Sequence, residues 1–392
     1  MPAGRSCATG SGFRQSFRAS AITVQSVALV QLRHFIVDAD FDPGINEFAL
    51  HFTFESRHSV EVDLAALLEA NTMAERDADR ELRYRVLQHE LRMVLSYLSD
   101  GGSDGRLQLD VENFAATAGH IKRFVSESVG LGMLTAAVQE FFAWEFGPDA
   151  IANFDVLPGE LKDTFGTGGV RPDLLFDFKD GARVLAGEAR GRSAAGPQGT
   201  DTRAEQRKRM KDMLRWSIDH GDYPVTMTWA YLGGNYVQVD LFTMSNRSIG
   251  SLGYVLPDGP DAGIDAGVRQ QYTADAIGRG ERRAVRLFET APPAPFREPR
   301  RLFGREVKGD WVTADLVRPS NVRLFLGAMD TPVPASEVRA TRARGRQAGQ
   351  RRAAGYETAL NDRLLIVVAR SENPEPEWSR VEALIERGES SD

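Results

Sequence analysis

The stretch Arg171–Arg192, R-P-D-L-L-F-D-F-K-D-G-A-R-V-L-A-G-E-A-R-G-R, decides how this chain folds. Two apolar runs, Leu174–Phe178 and Val184–Ala189, flank Asp180-Gly181. Asp-Gly between runs of this kind signals a hairpin, because a type I′ turn needs positive φ at both central positions. A two-residue turn also fixes the register. Phe178 then faces Arg183, Phe176 faces Leu185 and Asp173 faces Glu188.

Directly opposed residues in a ladder have Cβ atoms about 4.5–5.5 Å apart, and like charges so placed repel. Asp173 and Glu188 therefore want either a shared proton or a cation between them. A pair of carboxylates suits Mg²⁺, which takes one or two of them and keeps several waters. Side chains alternate along a strand. Asp173, Leu175, Asp177, Val184, Ala186, Glu188 and Arg190 share one face, while Leu174, Phe176, Phe178 and Leu185 form a greasy one that packs on a helix. The first face is expected to be mixed in character, with acids and an arginine.

The 392-residue chain has room for two or three domains, and its 42% hydrophobic and 26% charged residues suit a globular protein. A single cysteine, Cys7, rules out a disulfide framework and a cysteine-based zinc site. The six histidines show no metal-ligand spacing. These features fit a reducing, cytoplasmic setting. No apolar run is long enough for a transmembrane helix, so no membrane is expected. The net charge of −7 excludes a globally basic nucleic-acid binder, yet Arg339–Arg352 holds six arginines and no acid.

Around the hairpin the pattern divides the chain. Residues 1–20 read as a disordered leader. Residues 21–105 form a β-hairpin and helix region: Ala21–Val37 supplies a strand, Glu47–Glu55 alternates as another, Ser59–Asp63 returns as its hairpin partner, and Leu64–Asp100 is largely helical. Gly101–Gly105 marks a boundary. Residues 106–245 are the core, with an apolar helix over Ile121–Phe146, a short strand at Phe154–Leu157, the central hairpin, a basic helix over Thr202–Asp219 with Met210, Met213 and Leu214 inward, and strands at Tyr223–Leu232 and Tyr236–Thr243. Residues 246–295 are a loop and helical connection, helical over Asp275–Glu289. Residues 296–392 form a C-terminal region with strands at Val322–Leu326 and Leu364–Ala369, the basic segment and a short charged helix.

Pro172-Asp173 followed by Glu188-Ala189-Arg190 resembles the PD-(D/E)XK nuclease superfamily, with Arg190 where the motif lysine stands. The order helix, three strands, helix, strand over roughly residues 120–235 is similar to the core of that superfamily. The resemblance implies an α/β fold, a restriction-endonuclease-like core whose mixed sheet lies between helices, with extra N- and C-terminal regions. It also implies that Asp173, Glu188 and the Ala189 carbonyl bind Mg²⁺ or Mn²⁺. Glu127 would take the place of the helical glutamate, with Glu140 as rival, and Gln206 would be the polar residue approaching from the following helix. Asp173, Glu188, Arg190, Glu127 and Gln206 are the candidate catalytic set.

The chemistry that follows is phosphodiester hydrolysis of DNA. A metal ion lowers the pKa of bound water and neutralises the phosphate, and a cation beside it holds the developing charge. Arginine does not deprotonate, so Arg190 can orient and neutralise but is a poor base. Arg203, Arg207, Lys208 and Lys211 would contact backbone phosphates, or else form a solvated face. Superfamily habit suggests bacterial defence or DNA processing. The alternative is an impaired nuclease-fold module that binds nucleic acid or a protein partner without cleaving; on either reading a homo-oligomer stays open. A purely structural reading of the pair also stands, since Arg171 falls opposite Arg190 and four charges could satisfy one another.

Overall fold

The computed structural model describes residues 27–42, 47–63, 80–100, 106–142, 144, 151–154, 170–178, 184–220, 223–245, 288–289, 291–293, 298–313, 322–334, 336–338, 340–341, 356–360, 363–370 and 378–387. In chain order the elements are β1 (Val27–Asp42), β2 (Glu47–Asp63), α1 (Arg80–Tyr97), β3 (Leu98–Asp100), β4 (Leu107–Leu109), α2 (Val111–Ala115), α3 (Gly119–Phe142), β5 (Ile151–Asn153), β6 (Leu174–Asp177), β7 (Val184–Arg192), α4 (Ala204–Asp219), β8 (Val225–Leu232) and β9 (Val237–Met244). There follow β10 (Arg300–Leu302), β11 (Arg305–Thr313), β12 (Val322–Met329), β13 (Tyr356–Leu360), β14 (Leu364–Arg370) and α5 (Trp378–Glu382). The fold is α/β. A seven-stranded mixed sheet runs β2-β1-β9-β8-β7-β6-β5, and a five-stranded antiparallel sheet runs β10-β11-β12-β14-β13.

The central hairpin has the register set by the Asp-Gly arithmetic. Leu174 pairs Gly187, Phe176 pairs Leu185, and Asp177 pairs Val184. The turn residues Asp180 and Gly181 lie outside the described residues, as do the leader 1–20, the Gly101–Gly105 boundary, most of Asp275–Glu289 and most of the Arg339–Arg352 segment. β5, β6 and β7 form an antiparallel meander, and β7 then pairs in parallel with β8. A parallel pair needs a crossover, and α4 supplies it.

Both faces of this sheet are covered. Leu134 and Val138 of α3 pack with Leu174, Phe176 and Leu185. Met210, Met213 and Leu214 of α4 pack with Leu175, Ala186 and Met227 on the other side. The face expected to be mixed is therefore also a helix-packing face, and Glu188 on it is fully buried. Close approach on the α3 side rests on glycine. A Cβ on Gly191 would collide with the Ser126 carbonyl, and one on Gly130 would meet the Gly191 nitrogen at 3.0 Å.

Several boundaries differ from those read in the sequence. The apolar helix is Gly119–Phe142, and the short strand is Ile151–Asn153, where β5 finds its partner in β6. Ser59–Asp63 is not a separate returning strand. Glu47–Asp63 is one 17-residue strand, paired antiparallel along all of β1. The reason is a register shift between His34 and Phe35, where Ser56 pairs His34 and Phe54 pairs Phe35. One extra residue in a strand moves every later side chain to the other face. Phe48, Phe52 and Phe54 thus face the α4 side, whereas Val60 and Val62 join the α3 side. His58 and His34 both reach the Phe141 ring of α3, with centroids 5.1 Å away. Region 21–105 does not stand apart from the core, because β1 pairs in parallel with β9 from Gln31↔Gln238 to Val37↔Met244.

The second sheet joins this body through α1. Leu324, Leu326 and Ile366 share a core with Leu87 and Leu91. The buried Tyr84 hydroxyl donates to the Leu326 carbonyl and accepts the Asp310 N–H at 3.2 Å. No helix among the described residues is long and apolar enough to cross a membrane.

Candidate active site

Registers across the sheet align rows of side chains on the α4 face. Phe35, Phe242, Met227 and Glu188 stand in one row, Arg33, Asp240, Trp229 and Arg190 in the next, and Gln31, Gln238, Tyr231 and Arg192 in the third. The first row is apolar except for Glu188 at its end; the two beyond it are largely polar or charged, with Trp229 and Tyr231 among them.

Asp173 immediately precedes β6. Its backbone N–H donates to the Gly187 carbonyl (2.9 Å), and its Oδ2 accepts the Ala189 N–H at 2.7 Å. This places its carboxylate beside β7, where it raises the Glu188 pKa by charge repulsion. Glu188 Oε1 accepts from Arg190 Nε (2.7 Å) and from Arg209 Nε (2.7 Å) and Nη2 (2.6 Å). Its Oε2 is buried with no hydrogen-bond partner. Burial pushes Glu188 up to about 8, with Asp173 adding to the rise and Arg209 and Arg190 opposing it. Near neutrality this group can hold a proton on Oε2, or remain an anion if a further cation comes to that oxygen.

Asp173, Glu188, Ala189 and Arg190 are thus brought together. Arg209 joins them, a residue of the basic helix that the sequence did not single out. Its signal was its position on α4 one residue before the inward Met210. Glu127 is not brought to Glu188. It is exposed on α3, the helix of the opposite face, and no hydrogen bond or ion pair joins the two. Glu140 is exposed further along the same helix.

Gln206 is buried but committed elsewhere. Its Oε1 accepts the Arg203 N–H (2.8 Å), capping α4, and its Nε2 donates to Asp240 Oδ2 (2.8 Å) and lies 3.1 Å from the Tyr231 hydroxyl. Asp240 in turn takes Arg33 Nε on Oδ1 (2.7 Å) and Nη2 on Oδ2 (2.6 Å), with Arg33 and Asp240 both fully buried. Burial and the Asp240 charge push the Tyr231 hydroxyl up to about 12. This second polar cluster spans β1, β8, β9 and α4, and the sequence reading missed Arg33 and Asp240.

Among the proposed phosphate contacts, Arg203, Arg207 and Lys208 are exposed. The Arg203 guanidinium lies 4.9 Å from the Tyr231 ring centre. Arg207 Nη1 donates to the Thr202 carbonyl at 3.3 Å, and Lys211 pairs with Glu47 at 3.5 Å. No group of three His, Cys, Asp or Glu side chains that could hold a metal gathers among the described residues. Comparisons with family models, curated proteins and solved structures return no match.

Proposed function

We propose that this chain is a divalent-metal-dependent nuclease of the PD-(D/E)XK type, hydrolysing phosphodiesters in DNA. The observation that carries the reading is the facing pair Asp173 and Glu188 with Glu188 Oε2 left unpartnered in the core. Support comes from the element order α3, β5–β7, α4, β8, with the two helices on opposite faces.

The donors fit Mg²⁺ or Mn²⁺ on chemical grounds, since both acids offer hard oxygens and such ions need few protein ligands. Asp173 and Glu188 would hold it, with the Ala189 carbonyl as a further ligand. When bound, it would supply an activated water and neutralise phosphate charge. Arg190, 43% exposed, would face the scissile phosphate and stabilise its developing charge. Arg209, 18% exposed, would keep Glu188 Oε1 fixed. The test is plasmid cleavage with Mg²⁺ or Mn²⁺ by the native protein and by Asp173→Ala. A loss of about 10²-fold or more is expected, since even the hydrogen-bond partners of metal ligands cost about 10–100-fold when removed; equal rates overturn the assignment.

A second reading has its own observation. Two guanidiniums already share Glu188 Oε1, and neither can act as a base. On that reading the chain binds nucleic acid, or a protein partner, without turnover. Titration calorimetry with Mn²⁺ separates the two: no heat supports the non-cleaving module, and a tight site lost in Asp173→Ala supports the nuclease.

A further inference from the structure

The connection from β7 to α4, residues 193–203, is held to the sheet by side chains from three strands. Gln238 Nε2 lies 3.2 Å from the Pro197 carbonyl, Arg57 Nη2 donates to the Gln198 carbonyl (2.8 Å), and the buried Arg33 donates to the Gly199 carbonyl. Gln198 Nε2 also donates to the Tyr236 hydroxyl at 2.7 Å. Gly196 lies so close to the Gln238 amide that a Cβ would sit 2.5 Å from its carbon. Three successive carbonyls are thereby turned toward the sheet and neutralised. Spending a fully buried ion pair to fix a surface loop is costly for stability, and rigidly placed loops are where binding groups sit.

The cations around this loop are held as firmly. Arg190 and Arg192 alternate on β7, so they stand about 6.6 Å apart on one face. Their side chains are 43% and 53% exposed. The Arg192 guanidinium lies over Trp229 at 5.3 Å, and that of Arg203 over Tyr231 at 4.9 Å. Trp229 and Tyr231 are the β8 residues in register with Arg190 and Arg192. The acids of the connection and of the first turn of α4 are Asp201 and Glu205, both exposed, and the Asp173 carboxylate lies beside Ala189 at the Arg190 end; Glu205 Oε2 pairs with Arg192 Nη2 at 2.9 Å. Planar guanidiniums fixed on aromatic rings are preorganised for phosphate.

We propose that Arg190, Arg192 and Arg203, with Arg57 beside the loop, form a track that takes successive phosphates of a nucleic-acid strand. It begins two residues from Glu188. The inference rests on the reading that the substrate is a nucleic acid, but not on cleavage.

The test is fluorescence anisotropy of the full chain with a labelled single-stranded oligonucleotide and its duplex, in EDTA, across a salt series. Each phosphate contact contributes about 0.7–0.9 to the slope of log K against log salt. Arg192→Gln/Arg203→Gln is expected to lower the slope by about 1.5 and to weaken binding at low salt by on the order of tenfold or more. Arg301→Gln, an exposed charge on β10 of the other sheet, controls for net charge and is expected to change neither. Thermal melts check that each variant folds, and Arg203→Gln alone, at an exposed position, serves if the double variant does not. Slopes equal to that of Arg301→Gln, or no binding by the native protein, overturn the track. Track-dependent binding without cleavage removes the nuclease reading and keeps the track. Cleavage abolished by Asp173→Ala, with unchanged slopes in the arginine variants, does the reverse.

Discussion

Replacing Asp240 by Asn isolates what the buried pair with Arg33 contributes. Asp240 uses both oxygens twice: Oδ1 faces Arg33 Nε and Gln238 Nε2, and Oδ2 faces Arg33 Nη2 and Gln206 Nε2. An asparagine keeps the shape, yet either orientation of its amide points an NH₂ at two donors. It also leaves the Arg33 charge in the core without a counter-ion. Breaking a buried pair from one side costs about 3–5 kcal/mol, a large part of the ~5–15 kcal/mol that holds a typical domain together. The melting temperature is expected to fall by on the order of 10 °C, at about 2–4 °C per kcal/mol for a body of this size. Urea titrations give the free energy directly. Arg33→Met/Asp240→Leu removes both charges and is expected to recover part of the loss. Recovery stays partial because the Gly199 carbonyl loses its Arg33 donor, and because the Gln238 and Gln206 amides each lose an acceptor on Asp240, keeping only the Pro197 carbonyl and the Tyr231 hydroxyl. An Asp240→Asn protein within about 1 kcal/mol of the native one, or a double variant no better than the single, would refute the reasoning.

Glu188 titrates at about 8 in the folded chain, raised from 4.5, so between those values the native state holds a proton the unfolded chain has released. Stability should therefore fall as pH rises through that window, and Glu188→Gln should flatten the dependence, as read from urea midpoints across it. Gly191→Ala drives a methyl into the Ser126 carbonyl and is expected to cost about 1–3 kcal/mol or more, whereas Gly130→Ala, with neighbours at 3.0 Å and beyond, should cost less; chemical denaturation ranks them. Tyr84→Phe removes a buried hydroxyl that bridges Leu326 and Asp310, and a loss of about 1–3 kcal/mol is expected by the same measurement.

How much of this was legible varies by residue. The hairpin register was written in the chain, because an Asp-Gly turn leaves no freedom in which residues oppose one another, and Leu174↔Gly187 follows. The inward stripe Met210, Met213 and Leu214 was readable from helical spacing, and Gln206 sits four residues before Met210 on that stripe. A polar residue on an apolar stripe signals a buried amide with a partner. The partner, Asp240, was hidden because the contact depends on how distant strands line up. Arg33 and Asp240 are separated by 207 positions, and no local pattern couples them. The bulge opposite His34 was hidden for a different reason. Ser56 and His58 stand between Phe54 and Val60, so the apolar alternation stops and resumes, and the stretch reads as two strands rather than as one that changes face. Glu127 was assigned to the site by analogy of helix order, whereas the side of the sheet on which α3 lies is set by packing with Leu174 and Phe176.

The parallel pairing of β1 with β9 has a consequence for the order of assembly. The β1–β2 ribbon can close early, from neighbouring residues, but the strand it docks against lies near position 240. At ~5–20 residues per second, synthesis leaves the ribbon waiting on the order of 10–40 s. During that interval the phenylalanines at 48, 52 and 54 lack the α4 helix that shields them. Nascent chains that stop before residue 204 should therefore clump or demand a chaperone, and those extended past residue 244 should not.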